Sequence, residues 1–271
     1  MSPAIAYSLL DYHEESKHRL ARYAPGPGQL DWANQPDPFR TYKGAERVLL
    51  PLGAEKLELR YRELRAGRGG APRAFDRDSV GLLFELSLAV SAWKAAGGTR
   101  WALRTNPSSG NLHPTEGYLV SGELSGLGAG VYHYVSREHA LERRAPLAEA
   151  APQGGVLVAL TAIYWREAWK YGMRAFRYCE HDCGHAIGAL AYAAAALGWR
   201  ARFLSGPGDA TIARITGVGR EADRGDAEPE APECLLWISA GAAPPALDAL
   251  AAALDRAEWR GRANQSPNSK S

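Results

Sequence analysis

Lys170 and Tyr171 stand side by side in the segment Trp165-Arg-Glu-Ala-Trp-Lys-Tyr-Gly-Met-Arg-Ala-Phe-Arg-Tyr178. A lysine that loses water lowers its pKa, and a tyrosine can donate or accept a proton. Such a pair can therefore serve as acid and base toward a bound molecule. As a helix, the segment puts Lys170, Arg174 and Arg177 on one cationic stripe, with Tyr171, Arg174 and Tyr178 on an adjoining face. Glu167 then lies one turn from Lys170 and is its expected ion-pair partner. The same spacing also describes a solvated charged face with aromatics packed inward.

A second segment of interest is Arg104-Thr-Asn-Pro-Ser-Ser-Gly-Asn-Leu-His-Pro114. Pro107 and Pro114 stiffen it, and Ser108, Ser109 and Asn111 offer small polar groups around Gly110, where the backbone can be approached closely. Such a loop suits an anion or the edge of a flat heterocycle, and Arg104 could add a charge-assisted bond to a phosphate. An ordinary turn has the same composition, because Asn, Pro, Ser and Gly are turn formers. Asn106-x-Ser108-x-Gly110 also approaches a hydrolase nucleophile elbow, but its first Gly is replaced by Asn.

Other signatures fail on spacing. No Gly-Lys dipeptide is present, which removes a Walker loop. Gly126-x-Gly128 and Gly217-x-Gly219 lack the strand-turn-helix context of a dinucleotide fingerprint. His13 and His18 lie five apart, too far around a helix to share an ion. Cys179 and Cys183 would share one helix face and His181 and His185 the opposite one, so no metal site is expected.

The elements that must position these residues follow from periodicity. The first ~20 residues read as a helix, and the Pro/Gly-rich stretch 24–45 as an extended surface arm. Val48 to Leu50 is a short strand. Val80, Leu83, Leu86 and Val90, with Trp93 nearby, predict one long helix from Asp78 to Gly97-Gly98. Segments 117–120, 130–135, 156–160 and 234–238 read as strands. Helices are expected over 165–178, 184–197, 209–216 and 244–259, and an acidic loop over 223–232. Neighbouring strands at 117–135 with no helix between them predict antiparallel pairing and an α+β sandwich.

Composition bounds the function. The chain has 271 residues, with 32 Lys+Arg against 30 Asp+Glu. A net charge of +2 with no basic run argues against nucleic acid. Apolar residues make up 46% and charged residues 23%, as in an ordinary globular chain. Three cysteines make no disulfide framework and point to a reducing, cytoplasmic setting. The acidic N-terminal stretch does not read as a signal peptide, and the longest apolar run is shorter than the ~20 residues that span a bilayer.

Taken in order, the two segments resemble a known family. The Pro-Ser-Ser-Gly-Asn core within 104–118 resembles the flavin loop of the nitroreductase superfamily. Lys170-Tyr171-Gly-x-Arg-Ala-Phe-Arg177, followed by Gly184-His185 and the Ala-rich stretch to Gly198-Trp199, resembles the SagB-type branch, the azoline dehydrogenases. The strand Val131-Tyr-His-Tyr134 followed by His139-x-Leu141 is similar as well, and the likeness runs from about 40 to 240.

This resemblance implies a nitroreductase-like α+β sandwich with a central, mainly antiparallel sheet flanked by helices. It implies FMN at the interface of a homodimer, and a small-molecule or peptide substrate whose heterocycle exchanges a hydride with the flavin. Lys170 and Tyr171 match the catalytic pair, while Pro107, Ser108, Ser109 and Asn111 match positions along the flavin and Arg104 is assigned a polar cofactor contact. No metal is implied. Segment 61–68 lacks the Ser of the usual phosphate motif, and 239–244 is neutral where many relatives are basic. The expected organisation is a helix and Pro-rich arm over 1–45, an FMN domain over 46–262 and a polar tail over 263–271. An NAD(P)H-dependent nitroreductase or quinone reductase, and a non-catalytic docking module of the same fold, are the alternative readings.

Overall fold

A computed structural model of the chain describes residues 8–265. Helix α1 (Leu9–Ser16) starts at a capping box in which Ser8 and Asp11 satisfy each other's backbone. Strands β1 (Tyr42–Lys43) and β2 (Glu46–Leu49) and helices α2 (Tyr61–Arg65) and α3 (Arg77–Glu85) follow. Then come β3 (Val90–Ala96), β4 (Thr99–Arg104), β5 (Thr115–Ser121), β6 (Gly130–Val135), β7 (Ala140–Pro146) and β8 (Gly155–Ala162). The rest is α4 (Tyr164–Tyr171), α5 (Ala175–Ala196), β9 (Arg200–Leu204), α6 (Asp209–Thr216), α7 (Glu221–Arg224), β10 (Ala231–Ser239), α8 (Leu247–Asp255) and β11 (Arg262–Ala263).

Seven strands form one sheet in the order β2-β7-β6-β5-β8-β10-β9, with every neighbouring pair antiparallel. The central strands are buried on both faces, so they read as continuous apolar runs. Alternate residues face opposite layers. Leu119, Val158 and Leu236 pack with α3 and α5 through Phe84, Leu190 and Ala194. Tyr118, Leu157 and Trp237 pack on the other side with α6 and α8 through Ile215, Leu250 and Leu254. Helices thus cover both faces of an antiparallel sheet, the α+β sandwich expected from the sequence.

Several expected boundaries shift. The helix predicted over 78–98 stops at Glu85, and the chain turns into the hairpin β3–β4 around Gly97-Gly98. Both glycines have positive φ, +57° and +80°, the backbone of a two-residue hairpin turn. The helix predicted over 165–178 breaks at Gly172, whose φ of 54° and ψ of −128° suit only glycine. The next helix therefore begins at Ala175 rather than Gly184, and the terminal helix covers only 247–255.

The surface arm is anchored along its second half. Phe39, Arg40 and Tyr42 are buried, and β1 pairs with β11. Arg40 donates to the carbonyls of Glu228 and Asn264, and the Asn264 side chain caps Phe39 and Thr41. Ala263 and Asn264, the start of the expected tail over 263–271, are therefore fixed; residues 1–7 of the expected N-terminal helix and 266–271 of the tail lie outside the described residues. No described helix is long and apolar enough to cross a membrane.

Candidate active site at the loop between β4 and β5

The loop between β4 and β5 is held from three sides. Arg166 of α4 donates to His113 O at 2.6 Å and to Glu116 at 2.5 Å. Arg104 donates to Thr115 O at 3.1 Å and to Pro38 O at 2.5 Å, joining the loop to the arm. Asp182 of α5 accepts from Ser109 N at 3.0 Å and from Ser109 Oγ at 3.1 Å. The backbone so held takes left-handed φ at three nearby residues, Gly110 (61°), Asn111 (63°) and His113 (50°). Such strain persists where the surroundings over-determine it and collects at functional sites.

The turn brings the two sequence segments together. Lys170 and Tyr171, at the last turn of α4, close over Gly110. A β-carbon on Gly110 would stand 2.5 Å from Tyr171 Oη and 2.9 Å from Lys170 Nζ. Lys170 Nζ donates to Gly110 O at 3.4 Å, a long bond. The break at Gly172 places this pair at a helix end rather than on the continuous stripe expected. Arg174 and Arg177 turn instead to the N-terminal segment: Arg174 meets His18 at 2.7 Å and Arg177 meets Ser16 at 2.9 Å. Burial holds the Tyr171 hydroxyl above its ordinary pKa, with Glu167 and Tyr178 adding to the effect, so the phenol keeps its proton at neutral pH.

The other expected site residues have partners within the chain. Ser108 Oγ accepts from His113 N at 2.8 Å. Asn111 donates to Ala102 O at 2.7 Å, and its Oδ1 meets His113 Nε2 at 2.9 Å. Burial, aided by Arg104 and Arg166, pushes His113 down to about 3, so it is neutral and its Nε2–H donates to Asn111. Pro107 is exposed at the loop's outer edge. Arg104, expected to touch a cofactor, is buried, with its two terminal nitrogens on backbone carbonyls.

Glu167 does not pair with Lys170. It is fully buried and faces Asp182. Burial and the neighbouring Asp182 charge push Glu167 up to about 9. Sequence reasoning did not find Asp182. The available signal was an acid placed among Cys179, Cys183 and Ala186, the residues that α5 turns inward.

Beside the loop lies a cleft of about 330 Å³. Its walls are the arm at Trp32, Pro36 and Phe39, the β3–β4 hairpin at Trp93 and Trp101, and Gly110, Asn111, Trp169 and Lys170. Trp169 fixes the arm by donating to Asp31 O at 2.8 Å, and its ring meets Trp32 edge-on. Arg137 sits 4.2 Å over Phe39 and Arg100 4.3 Å over Trp93. Arg100, Arg137 and Lys170 line the cleft, and no carboxylate does. The size and the aromatic, cationic lining suit a planar molecule bearing negative charge. Among the described residues no cluster of His, Cys, Asp and Glu could hold a metal. Cys179 and Cys183 are buried while His181 and His185 point outward.

This antiparallel sandwich has the nitroreductase fold, and residues 92–224 match the model of the Nitroreductase family. A protein of Anabaena variabilis described as a nitroreductase is 25% identical, with a TM-score of 0.63 over 84% of this chain. The chain spans only 45% of that protein's length. A second described nitroreductase, from Ralstonia eutropha, shares 15% identity at a TM-score of 0.54, over 75% of this chain and 95% of its own. The E. coli microcin synthetase McbBCD complex, with truncated pro-MccB17 bound, shares 17% identity at a TM-score of 0.50, over 89% of this chain and 84% of the other. No curated protein matches the sequence.

Proposed function

We propose that the chain is an FMN-dependent oxidoreductase of the SagB type, acting on a heterocycle in a small molecule or peptide. The observation that carries this reading is the meeting of Lys170 and Tyr171 with Gly110, which joins the acid–base pair to the loop that resembles a flavin loop. The donor set fits FMN. Aromatic faces and the open backbone at Gly110 and Asn111 suit its ring system, and Arg100 and Arg137 suit its phosphate. Pro107, Ser108 and Ser109 would border it from the same loop, with Arg104 bracing the loop from behind. When bound, FMN supplies the hydride chemistry.

This chain's residues would then orient the substrate and move its proton. Tyr171 keeps its proton and would hydrogen-bond the substrate, while Lys170 beside it, as the free amine, would accept the proton that leaves when hydride passes to the flavin. A peptide substrate agrees with the E. coli relative, which holds truncated pro-MccB17. A homodimer belongs to the same reading. Tyr61, Phe176 and Tyr192 are 62%, 44% and 47% exposed, apolar surface that a second copy would cover.

The deciding experiment is an absorption spectrum of the purified protein, with the released cofactor identified by chromatography. About one FMN per chain is expected. One observation favours a second reading: the polar groups of Ser108, Ser109 and Asn111 are already satisfied within the chain. A docking module of the same fold would need nothing more from them. A protein that stays colourless with added FMN would establish that reading. Rapid NAD(P)H oxidation with menadione would instead mark a nitroreductase or quinone reductase.

A further inference from the structure

We infer that Glu167 and Asp182 share one proton, and that this shared proton positions the Ser108–Gly110 turn while leaving Lys170 without a carboxylate partner. Both are positioning residues, and their value to catalysis rests on the acid–base role proposed for Lys170 and Tyr171. Glu167 is 0% exposed, and no N–H or hydroxyl donates to either of its oxygens. Two ionised carboxylates so placed would repel each other with nothing to offset the burial. A proton between them removes one charge and supplies the missing donor.

Asp182 is the natural seat of the remaining charge. It accepts from the Ser109 backbone and the Ser109 hydroxyl, whereas Glu167 accepts from neither. The pair thus reads as a neutral Glu167 donating to an anionic Asp182, whose other lone pairs fix the turn. Burial raises both acids, and each is raised further or held back by its own neighbours. The groups facing the pair are Lys170 and Tyr171 on α4, and Cys179 and His185 on α5. Lys170 is the only one of them close to Glu167 with a fixed positive charge, and it forms no ion pair with it.

The consequence for the site is electrostatic. Had Glu167 been ionised beside Lys170, the two would neutralise each other. With its charge quenched by the shared proton, Glu167 leaves Lys170 free to act on whatever lies over Gly110. Alkaline pH would remove the proton, add a second negative charge behind the turn and loosen the hold of Asp182 on Ser109.

The test uses the full chain and needs no flavin. Infrared spectra across pH should show one protonated carboxyl band that is lost only near pH 9, above the Glu233 carboxyl, which burial raises to about 7. The Ser109 amide, followed by NMR, should shift with the same midpoint. Glu167→Gln keeps a donor for Asp182 and should abolish both transitions while the Ser109 amide stays in its neutral-pH position. Asp182→Asn removes the neighbouring charge and should move the carboxyl titration to lower pH, at a proton concentration at least about tenfold higher. If either variant does not fold, the wild-type band and the Ser109 shift decide the question. A wild-type protein with no carboxyl band lost near pH 9, or a pH 9 band that survives Glu167→Gln, overturns the inference. Loss of the flavin reading alone would leave these signals in place.

Discussion

Tyr171 and Gly110 occupy each other's space: a single methyl group on Gly110 would come within 2.5 Å of the tyrosine hydroxyl. The glycine serves two ends there, since its φ of 61° also lies where other residues are strained. Gly110→Ala should therefore cost about 1 kcal/mol in stability. It should cost more in turnover, because the flexible ends of Tyr171 and Lys170 must move to make room. Thermal melts and steady-state rates on the same samples check the split.

Lys170→Ala removes a charge with no carboxylate partner and a weak bond to Gly110 O. Folding and bound flavin should be retained, and turnover should fall by about 100-fold or more if the residue assists proton transfer. Flavin content per chain is the control. Release of FMN by this change would show that the lysine holds the cofactor instead.

Glu116→Gln should be among the most damaging single changes in the sheet. Glu116 is buried, bonded to Arg166 and His133, with Arg104 at 3.9 Å. Burial alone would raise its pKa, but Arg166, His133 and Arg104 bring it down to about 2. A depressed carboxyl contributes stability that is present above about 4.5 and lost as pH falls toward 2. The variant should lose about 3 kcal/mol at neutral pH, with Arg166 left uncompensated, and show a flatter acid limb. Urea unfolding across pH measures both.

His133 adds the opposite slope. Burial disfavours its charge, yet bonds to Glu116 and Glu142 outweigh that and raise its pKa. Its contribution is complete below about 6.5 and fades as pH rises through the folded value. His133→Gln should remove that alkaline decline in the same unfolding series.

Phe39→Ala tests the arm. Phe39 is 5% exposed under Arg137 and beside Trp93. Its loss should cost about 3 kcal/mol and open the cleft wall. The melting temperature reports the first effect, and KM rising more than kcat falls reports the second.

The sequence made much of the sheet legible. Apolar runs such as Val156 to Leu160 and Cys234 to Ile238 read as buried strands because they are buried on both faces. The hairpin β3–β4 was misread because Val90 and Trp93 extend the helical spacing of α3 by coincidence, while Gly97-Gly98 carried the true signal. Strand β7 has three charged residues in a row, of which Glu142 and Arg144 are buried and paired with Arg47 and Asp223 while Arg143 is half-buried. For the site, the resemblance singled out Lys170, Tyr171 and the 104–114 loop as separate motifs, and their meeting at Gly110 is seen only in the fold. That Glu167 faces Asp182 was not legible either, since nothing local distinguishes it from an acid placed to pair with Lys170.

The arm's contribution to the cleft has an evolutionary meaning. Trp32, Pro36 and Phe39 precede the family-matched stretch of 92–224, whereas Lys170, Tyr171 and the 104–114 loop lie within it. On the proposed function, the reacting pair thus lies inside that stretch while one wall of the cleft lies outside it, so drift in the arm can reshape what enters without disturbing Lys170 or Tyr171.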